Sequence, residues 1–360
     1  MAPAVEQNKL KRSGLGLRAH DQEHASVGFT LFAPRGGNRV CLLDMAGEVV
    51  HTWDLPYPPG LYGCLTEEGT LLYNGKTRSP TFMGQSNFGG GALLEADWSG
   101  RVLWEVRNDD HHHDGIKLRN GNLVMVCAAA IPSEIAARVV GGRTGSEHDG
   151  HIYADYLVEM TTAGDVVWRW SSWEHLDPRE YPIPFVEDTR AEWTHANAVI
   201  ELSNGNLMVS FRNISTLIEI ERGSGRVIWS LGTPPLSGQH APTELPNGNV
   251  LIFDNGQHRL DDALSFSRVI EVDRASKEIV WKYQDDPVEY FYSSRISNAQ
   301  RLPNGNTLIC EGVFGRIFEV MPDGTLVWEY VNPFFDGPSN RVFRAYRYSP
   351  QEIERARTTG

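Results

Sequence analysis

A chain of 360 residues with 46 Asp and Glu against 33 Lys and Arg carries a formal net charge of −13. That balance argues against nucleic acid or an anionic membrane as a partner. Nothing in it approaches the ~20 consecutive apolar residues of a membrane span. Residues 1–27, polar and mixed in charge, lack the apolar run of a secretory signal, so they are expected to be an N-terminal extension of a cytoplasmic protein. The four cysteines, Cys41, Cys64, Cys127 and Cys310, are far apart in strand-like runs, a pattern of free buried thiols rather than of disulfides or a zinc site.

Taken in order, the chain repeats itself with a period of roughly 45 to 65 residues, in the range of propeller blades. Six closing hairpins end at Trp53, Trp104, Trp168, Trp229, Trp281 and Trp328, each preceded by a short alternating strand such as TLIEIE or RIFEVM. In four repeats an opening hairpin surrounds Asn120-Gly121, Asn204-Gly205, Asn247-Gly248 or Asn304-Gly305; Glu68-Gly69 takes that place in an earlier one. Asn-Gly suits a type I′ turn, whose two central residues both need φ > 0. Two hairpins per repeat make a four-stranded blade, so the prediction is an all-β, six-bladed β-propeller spanning 28–348 as one domain, with 349–360 as a C-terminal tail. The first closing hairpin lacks an opening half, and the alternating run NRVFRAYRYSP can complete that blade and close the ring. Three segments exceed what a blade needs: 74–90, 128–153 and 171–193. Long loops in compact domains often carry function.

Aligning the opening strands on Leu118, Leu202, Leu245 and Leu302 places His113, Asn197, His240 and Ser297 five residues earlier. Seven residues earlier stand His111, His195, Gly238 and Arg295. Side chains two apart share a strand face, so these imidazoles and Arg295 are expected to converge at one mouth of the channel. His112 alternates with its neighbours and faces into the blade unless a one-residue bulge reverses it. Trp193, beside His195, and Tyr292, beside Arg295, are candidates for an aromatic wall. Arg212 is either a surface ion pair or part of the site. His258 and Arg259 read as turn residues, and His148 and His151 as loop-tip residues.

The ordered phrases HHHDG…NGN, WTHANAV…SFRN and QHAPTELPNGN…FDNG resemble the arylsulfotransferase family of six-bladed propellers. The resemblance implies transfer of a sulfuryl group from a phenolic sulfate to another phenol through a transient histidine nucleophile. It implies His240 as that nucleophile, His195 and Arg212 as binders of the sulfate oxygens and the leaving phenolate, and His112 or His113 as the remaining sulfate-site imidazole. His111, Asn197, Arg295, Trp193 and Tyr292 would contact a small aromatic or anionic substrate, and no cofactor is called for. Two other readings follow from the residues. One is a lyase or hydrolase dependent on a divalent metal ion, with His111, His113, His195 and His240 as ligands. The other is a non-catalytic binding propeller, which gives no reason for so many ionisable groups at a channel mouth.

Overall fold

The computed structural model describes residues 14–260 and 262–359. Their strands are β1 (Gly16–His20), β2 (Phe29–Pro34), β3 (Arg39–Leu43), β4 (Val49–Asp54), β5 (Pro59–Leu65), β6 (Leu71–Lys76), β7 (Gly91–Ala96), β8 (Val102–Arg107), β9 (His111–Lys117), β10 (Leu123–Ala130), β11 (Tyr153–Met160) and β12 (Val166–Ser171). There follow β13 (Ala196–Glu201), β14 (Leu207–Phe211), β15 (Thr216–Ile220), β16 (Val227–Leu231), β17 (His240–Glu244), β18 (Val250–Asp254) and β19 (Arg268–Val272). The last are β20 (Ile279–Tyr283), β21 (Asn298–Arg301), β22 (Thr307–Glu311), β23 (Arg316–Val320), β24 (Leu326–Val331) and β25 (Val342–Tyr348).

These strands form six antiparallel sheets. Five follow chain order from the inside outwards, from β5–β8 to β21–β24. The sixth is β25-β2-β3-β4, so the C-terminal strand supplies the missing inner strand of the first blade, as expected. The inner strands β5, β9, β13, β17, β21 and β25 touch one another in a ring. One feature was not foreseen: Gly16–His20, read as part of an extension, pairs with β24 as a fifth strand of the last blade. It covers that edge, and β24 is buried throughout where the exposed outer strand β16 is buried only at Leu231.

The core is divided into apolar slabs between neighbouring blades. Val124, Val126 and Leu157 meet Val199, Val209 and Ile218, for instance, while Met208 and Leu217 on the opposite face of the same sheet meet Ile252 and Ile270. A middle strand is therefore buried on both faces, which is why LMVSF and VLIFD read as continuous apolar runs.

Polar ties recur at each interface. The turns are not type I′. Gly121 N–H donates to the Leu118 carbonyl, and among the turn residues only the glycine has positive φ (85° at Gly121, 85° at Gly205, 85° at Gly248, 90° at Gly305). The glycine thus follows a type I turn as a bulge. This frees the asparagines: Asn204 and Asn206 both donate to Glu219 on β15, Asn247 and Asn249 to Glu271 on β19, and Asn120 and Asn122 to Glu159 on β11. A cation from the next blade completes each carboxylate: Arg222 on Glu159, Arg274 on Glu219, Arg301 on Glu271 and Arg347 on Glu319. The tryptophans do more than pack. Trp53, Trp229, Trp281 and Trp328 donate their indole N–H to turn carbonyls of the following blade, at Asp97, Arg274, Pro322 and Met45. In the third blade it is Trp170, not Trp168, that makes this bond, to Gly225.

On the axis, Arg344 of β25 reaches Asp114 of β9 at 3.0 Å, and the same guanidinium nitrogen donates to the Asn197 carbonyl. Tyr62 of β5 and the Val199 N–H of β13 also donate to Asp114. No two cysteines among the described residues are bonded; Cys41, Cys127 and Cys310 are buried and Cys64 is half-buried. No helix among them is long and apolar enough to cross a membrane.

Truncation after Asn340 removes β25, Arg344 and Arg347 together, and leaves β2 and Asp114 with unpaired groups facing the channel. The truncated protein should lose its cooperative melting transition or melt ~10 °C or more below the full chain, since a loss of several kcal/mol moves Tm by that amount in a chain of this size. An unchanged melting temperature by circular dichroism would show that β25 does not hold the ring closed.

Candidate active site

At one mouth of the channel the chain enters its inner strands through kinked backbone. His113 and His195 both have φ of 53°, Ala241 46°, Ile296 55° and Ser297 90°. A non-glycine residue in this region costs about 1 kcal/mol or more. The ladders shift register at the same places, between Met125 and Cys127, Ala196 and Ala198, and His240 and Thr243. These bulges cancel the period-two rule, so the predicted alignment does not put all its residues in one site.

His195, His240, Arg212 and Arg295 are brought together. They line a pocket of about 280 Å³ with Phe88, Asp188, Glu192, Asn213 and Gln257. His111 is not there: its Nδ1 lies 2.9 Å from the Val126 carbonyl and its Nε2 3.1 Å from Asn74, buried between two blades. Asn197 is sealed on the axis, donating to the Gln239 carbonyl. Trp193 is fully buried in the core and donates to the Tyr181 carbonyl, so it forms no wall. Tyr292, whose N–H donates to Glu311, does not line the pocket either. The wall is Phe88, from the long loop before β7, with its ring stacked on His113 at 4.8 Å and edge-on to His195 at 5.9 Å.

His195 Nδ1 donates to Glu192 at 2.6 Å, which leaves Nε2 as the lone-pair nitrogen. His240 Nδ1 donates to Asn255 Oδ1 at 2.8 Å, and its Nε2 accepts the Ile296 N–H at 3.1 Å. Asn255 is itself fixed by donating to the Ser293 and Ile296 carbonyls. Arg212 is held at 3.1 Å from Asp188 and 2.7 Å from both Asn213 and Gln257, and so is a built part of the pocket rather than a surface ion pair. His258 also sits against Asp188, at 2.7 Å, and against Ser215, so it braces the same guanidinium from behind. His112 and His113 meet Nδ1 to Nδ1 at 2.7 Å, and His112 Nε2 is 3.0 Å from Asp155. With the His112 proton drawn to Asp155, His113 donates its Nδ1–H to His112, and its buried Nε2 has no partner.

Burial, and then the nearby Arg212 charge, hold His240 well below the ordinary imidazole range. Burial followed by His195 does the same to His113. Burial pushes Glu192 up, but His195 outweighs it and the carboxyl ends below its usual value. Asp188 is likewise lowered on balance, by His258 and Arg212 against burial. The four imidazoles of the metal reading do not share a point, and among the described residues no three His, Cys, Asp or Glu are arranged to hold a metal.

Glu192 and Asp188 were missed in the sequence. They sit in the 172–195 segment, which is knitted to the 131–152 segment by parallel bridges at Gly141–Ile183 and Arg143–Thr189. Glu192 three residues before His195 was the available signal, obscured because no strand carries it.

Burial makes His111 neutral in the fold, with its value lowered from 6.5 to about 3. Between those values the unfolded chain binds a proton there that the folded chain does not. Stability therefore falls as pH drops from 6.5 and levels off near 3, with the folding constant losing up to roughly tenfold per pH unit for this one group. Urea midpoints measured across that range should show the slope, and His111→Gln should flatten it. An unchanged slope would contradict a neutral buried His111.

The arylsulfotransferase (ASST) family model matches residues 72–333. A comparison of the sequence with curated proteins returned no match. Among solved structures, a protein of unknown function from Bacteroides caccae superposes with a TM-score of 0.56 at 14% identity, covering 89% of this chain and 99% of its own. A streptogramin B lyase superposes with a TM-score of 0.50 at 10% identity, covering 92% of this chain and 87% of its own. At such identities these likenesses speak for the propeller alone. The family match, by contrast, takes in all three histidine phrases and Arg212, and the chain belongs to the arylsulfotransferase (ASST) family.

Proposed function

We propose that this propeller transfers a sulfuryl group from an aryl sulfate ester to a phenol, with His240 as nucleophile. The observation that carries this reading is the pairing, in one pocket, of two imidazoles of fixed tautomer with a guanidinium held by three partners. A metal-free transfer needs three things: a neutral nitrogen nucleophile, a proton carrier for the aryl oxygen, and preorganised positive charge for the sulfuryl oxygens. His240 meets the first, since burial and Arg212 keep it neutral and Asn255 keeps its proton on Nδ1. Its Nε2 exchanges the Ile296 N–H for sulfur as the N–S bond forms and the S–O aryl bond breaks. The aryloxide departs as the anion, its charge met by Arg212, and takes its proton from water. His195 Nε2 then takes the proton of the acceptor phenol as that oxygen attacks sulfur, the S–N bond breaks and the electron pair returns to His240; the proton passes from His195 to solvent. Arg212 and Arg295 face the sulfuryl oxygens, and an aryl ring packs on Phe88. A reducing, cytoplasmic setting suits the four unpaired thiols.

One observation favours exchanged roles: in the resting pocket it is Nε2 of His195, not of His240, that is free of a protein donor. Incubation with 4-nitrophenyl sulfate followed by quenching and peptide mass spectrometry separates the two. Sulfation of the peptide carrying His240 is expected; sulfation at His195 would exchange the roles, and no adduct together with no released phenol would remove the reading.

His240→Ala should abolish turnover without altering the melting temperature by more than a few degrees. Arg212→Gln should lower kcat ~10²–10³-fold, the usual scale for one transition-state donor. Because Arg212 helps depress His240, the same variant should move the acidic limb of the kcat/KM profile to higher pH, where the neutral nucleophile is lost earlier as pH falls. A limb that stays in place would show that His240 is not the group titrating.

A further inference from the structure

Beside the imidazole pocket lies a larger one of about 390 Å³, and Phe88 and Arg295 line both. Arg35, Lys76, Arg78, Arg295 and Arg341 surround it, against the single carboxylate of Asp336. None of these five cations makes an ion pair with a described residue. In the rest of the fold the acidic surplus is spent on arginines, as at Arg222–Glu159, Arg301–Glu271 and Arg344–Asp114. Five cations without an ion-pair partner among the described residues, Arg78 and Arg295 of them solvent-exposed, thus ring one concavity in a chain of net charge −13. Two of them have neutral acceptors that leave their charge unbalanced: Lys76 donates to the Ser86 carbonyl and Arg35 to Asn87 Oδ1. Between the charges the wall is apolar, from Leu61, Phe88 and Phe343.

We infer that this basic pocket is a subsite for an aromatic ring bearing an anionic group such as a carboxylate, seated between the apolar wall and the five cations. The inference deepens the sulfuryl-transfer reading and rests on it for the identity of the reacting pocket: a ring that passes Phe88 would present its phenolic oxygen to His195 and His240 and its acid to Arg78 and Arg341. Mutual repulsion supports it. Burial, then Arg35 and Arg78, lower the Lys76 amine, and burial, then Arg341, Arg212 and Arg35, lower Arg295. An anion would relieve that repulsion.

The test is binding, independent of turnover. Isothermal titration of the full chain with 4-hydroxybenzoate and with its neutral analogue 4-hydroxybenzamide should give at least roughly tenfold tighter binding of the acid, the scale of one charge-assisted hydrogen bond. The difference should shrink at high salt. Arg78→Gln and Arg341→Gln should each erase most of the preference while leaving the affinity for the amide and the melting temperature unchanged. Equal binding of acid and amide, or a preference untouched in both variants, would overturn the inference. So would a preference lost only in Arg212→Gln, which would place the carboxylate in the imidazole pocket instead. If no sulfo-enzyme forms yet the preference follows Arg78 and Arg341, the sulfuryl-transfer reading falls and the anionic subsite stands.

Discussion

The carboxylate of Asp114 on the propeller axis is the point on which four blades agree. Arg344 from the closing strand, Tyr62 from the second blade and the Val199 N–H from the fourth all donate to it, while the same arginine holds the Asn197 carbonyl. Removing two charges from water costs several kcal/mol each, and their attraction repays that only when every remaining hydrogen bond is made. Such a pair adds little net stability against a well-packed apolar substitute. What it contributes is discrimination: only β25, seated in register, satisfies the axis. The arginine also acts on the imidazoles of the pocket mouth, because its charge is among the causes that hold both His113 and His240 below the ordinary imidazole range. Ring closure and the protonation state of the imidazoles are thus linked through one side chain.

The fold was legible because its signals are local. Each closing hairpin and each Asn-Gly-Asn phrase can be recognised within a dozen residues, and six of the former imply six blades. The deficit of the first blade even pointed to the strand that fills it. What could not be read was which groups the pattern serves. Asn204-Gly205-Asn206 looks like a turn-forming phrase, and Gly205 and the Asn204 Oδ1 that accepts the Asn206 N–H do shape the turn; what the phrase does not announce is that the side-chain N–H groups of both asparagines are there for Glu219. Likewise the terminal tryptophans announce burial but not the bond across to the next blade, and Gly16–His20 is too short and too mixed to declare itself a strand.

The site was half legible for a related reason. His195 and His240 could be singled out by their place at the start of inner strands, and Arg212 by its place in the SFRN phrase. Alternation then misplaced their neighbours, because bulges at His113, His195 and Ala241 rotate the chain where the pocket begins. Strand arithmetic holds only inside a regular ladder, and functional backbones often depart from regularity. His111 illustrates the error: it was assigned to the channel and lies between two blades. Glu192, Asp188 and Phe88 were invisible to such arithmetic altogether, since they come from loops whose path is decided by packing against one another.

The pairing of β25 with β2 sets apart the order in which this molecule can assemble. Arg347 donates to Thr30, 317 residues earlier in the chain. Loop-closure entropy grows only with the logarithm of the separation, so bringing these strands together from an unstructured chain costs just about 3 kcal/mol more than closing a ten-residue loop. Against so large a separation that cost is modest, because it grows only as a logarithm. The separation tells on the rate, since non-local pairings form after the local ones that shorten the effective distance between them. Hairpins within a blade, whose partners are close in sequence, can form first and stack as neighbours. The first blade meanwhile waits as β2, β3 and β4, with the edge of β2 open to any other strand. The topology thus makes the docking of β25 beside β2 a late event in closing the ring, and any chain in which that strand is not yet seated offers the edge of β2 to a second copy.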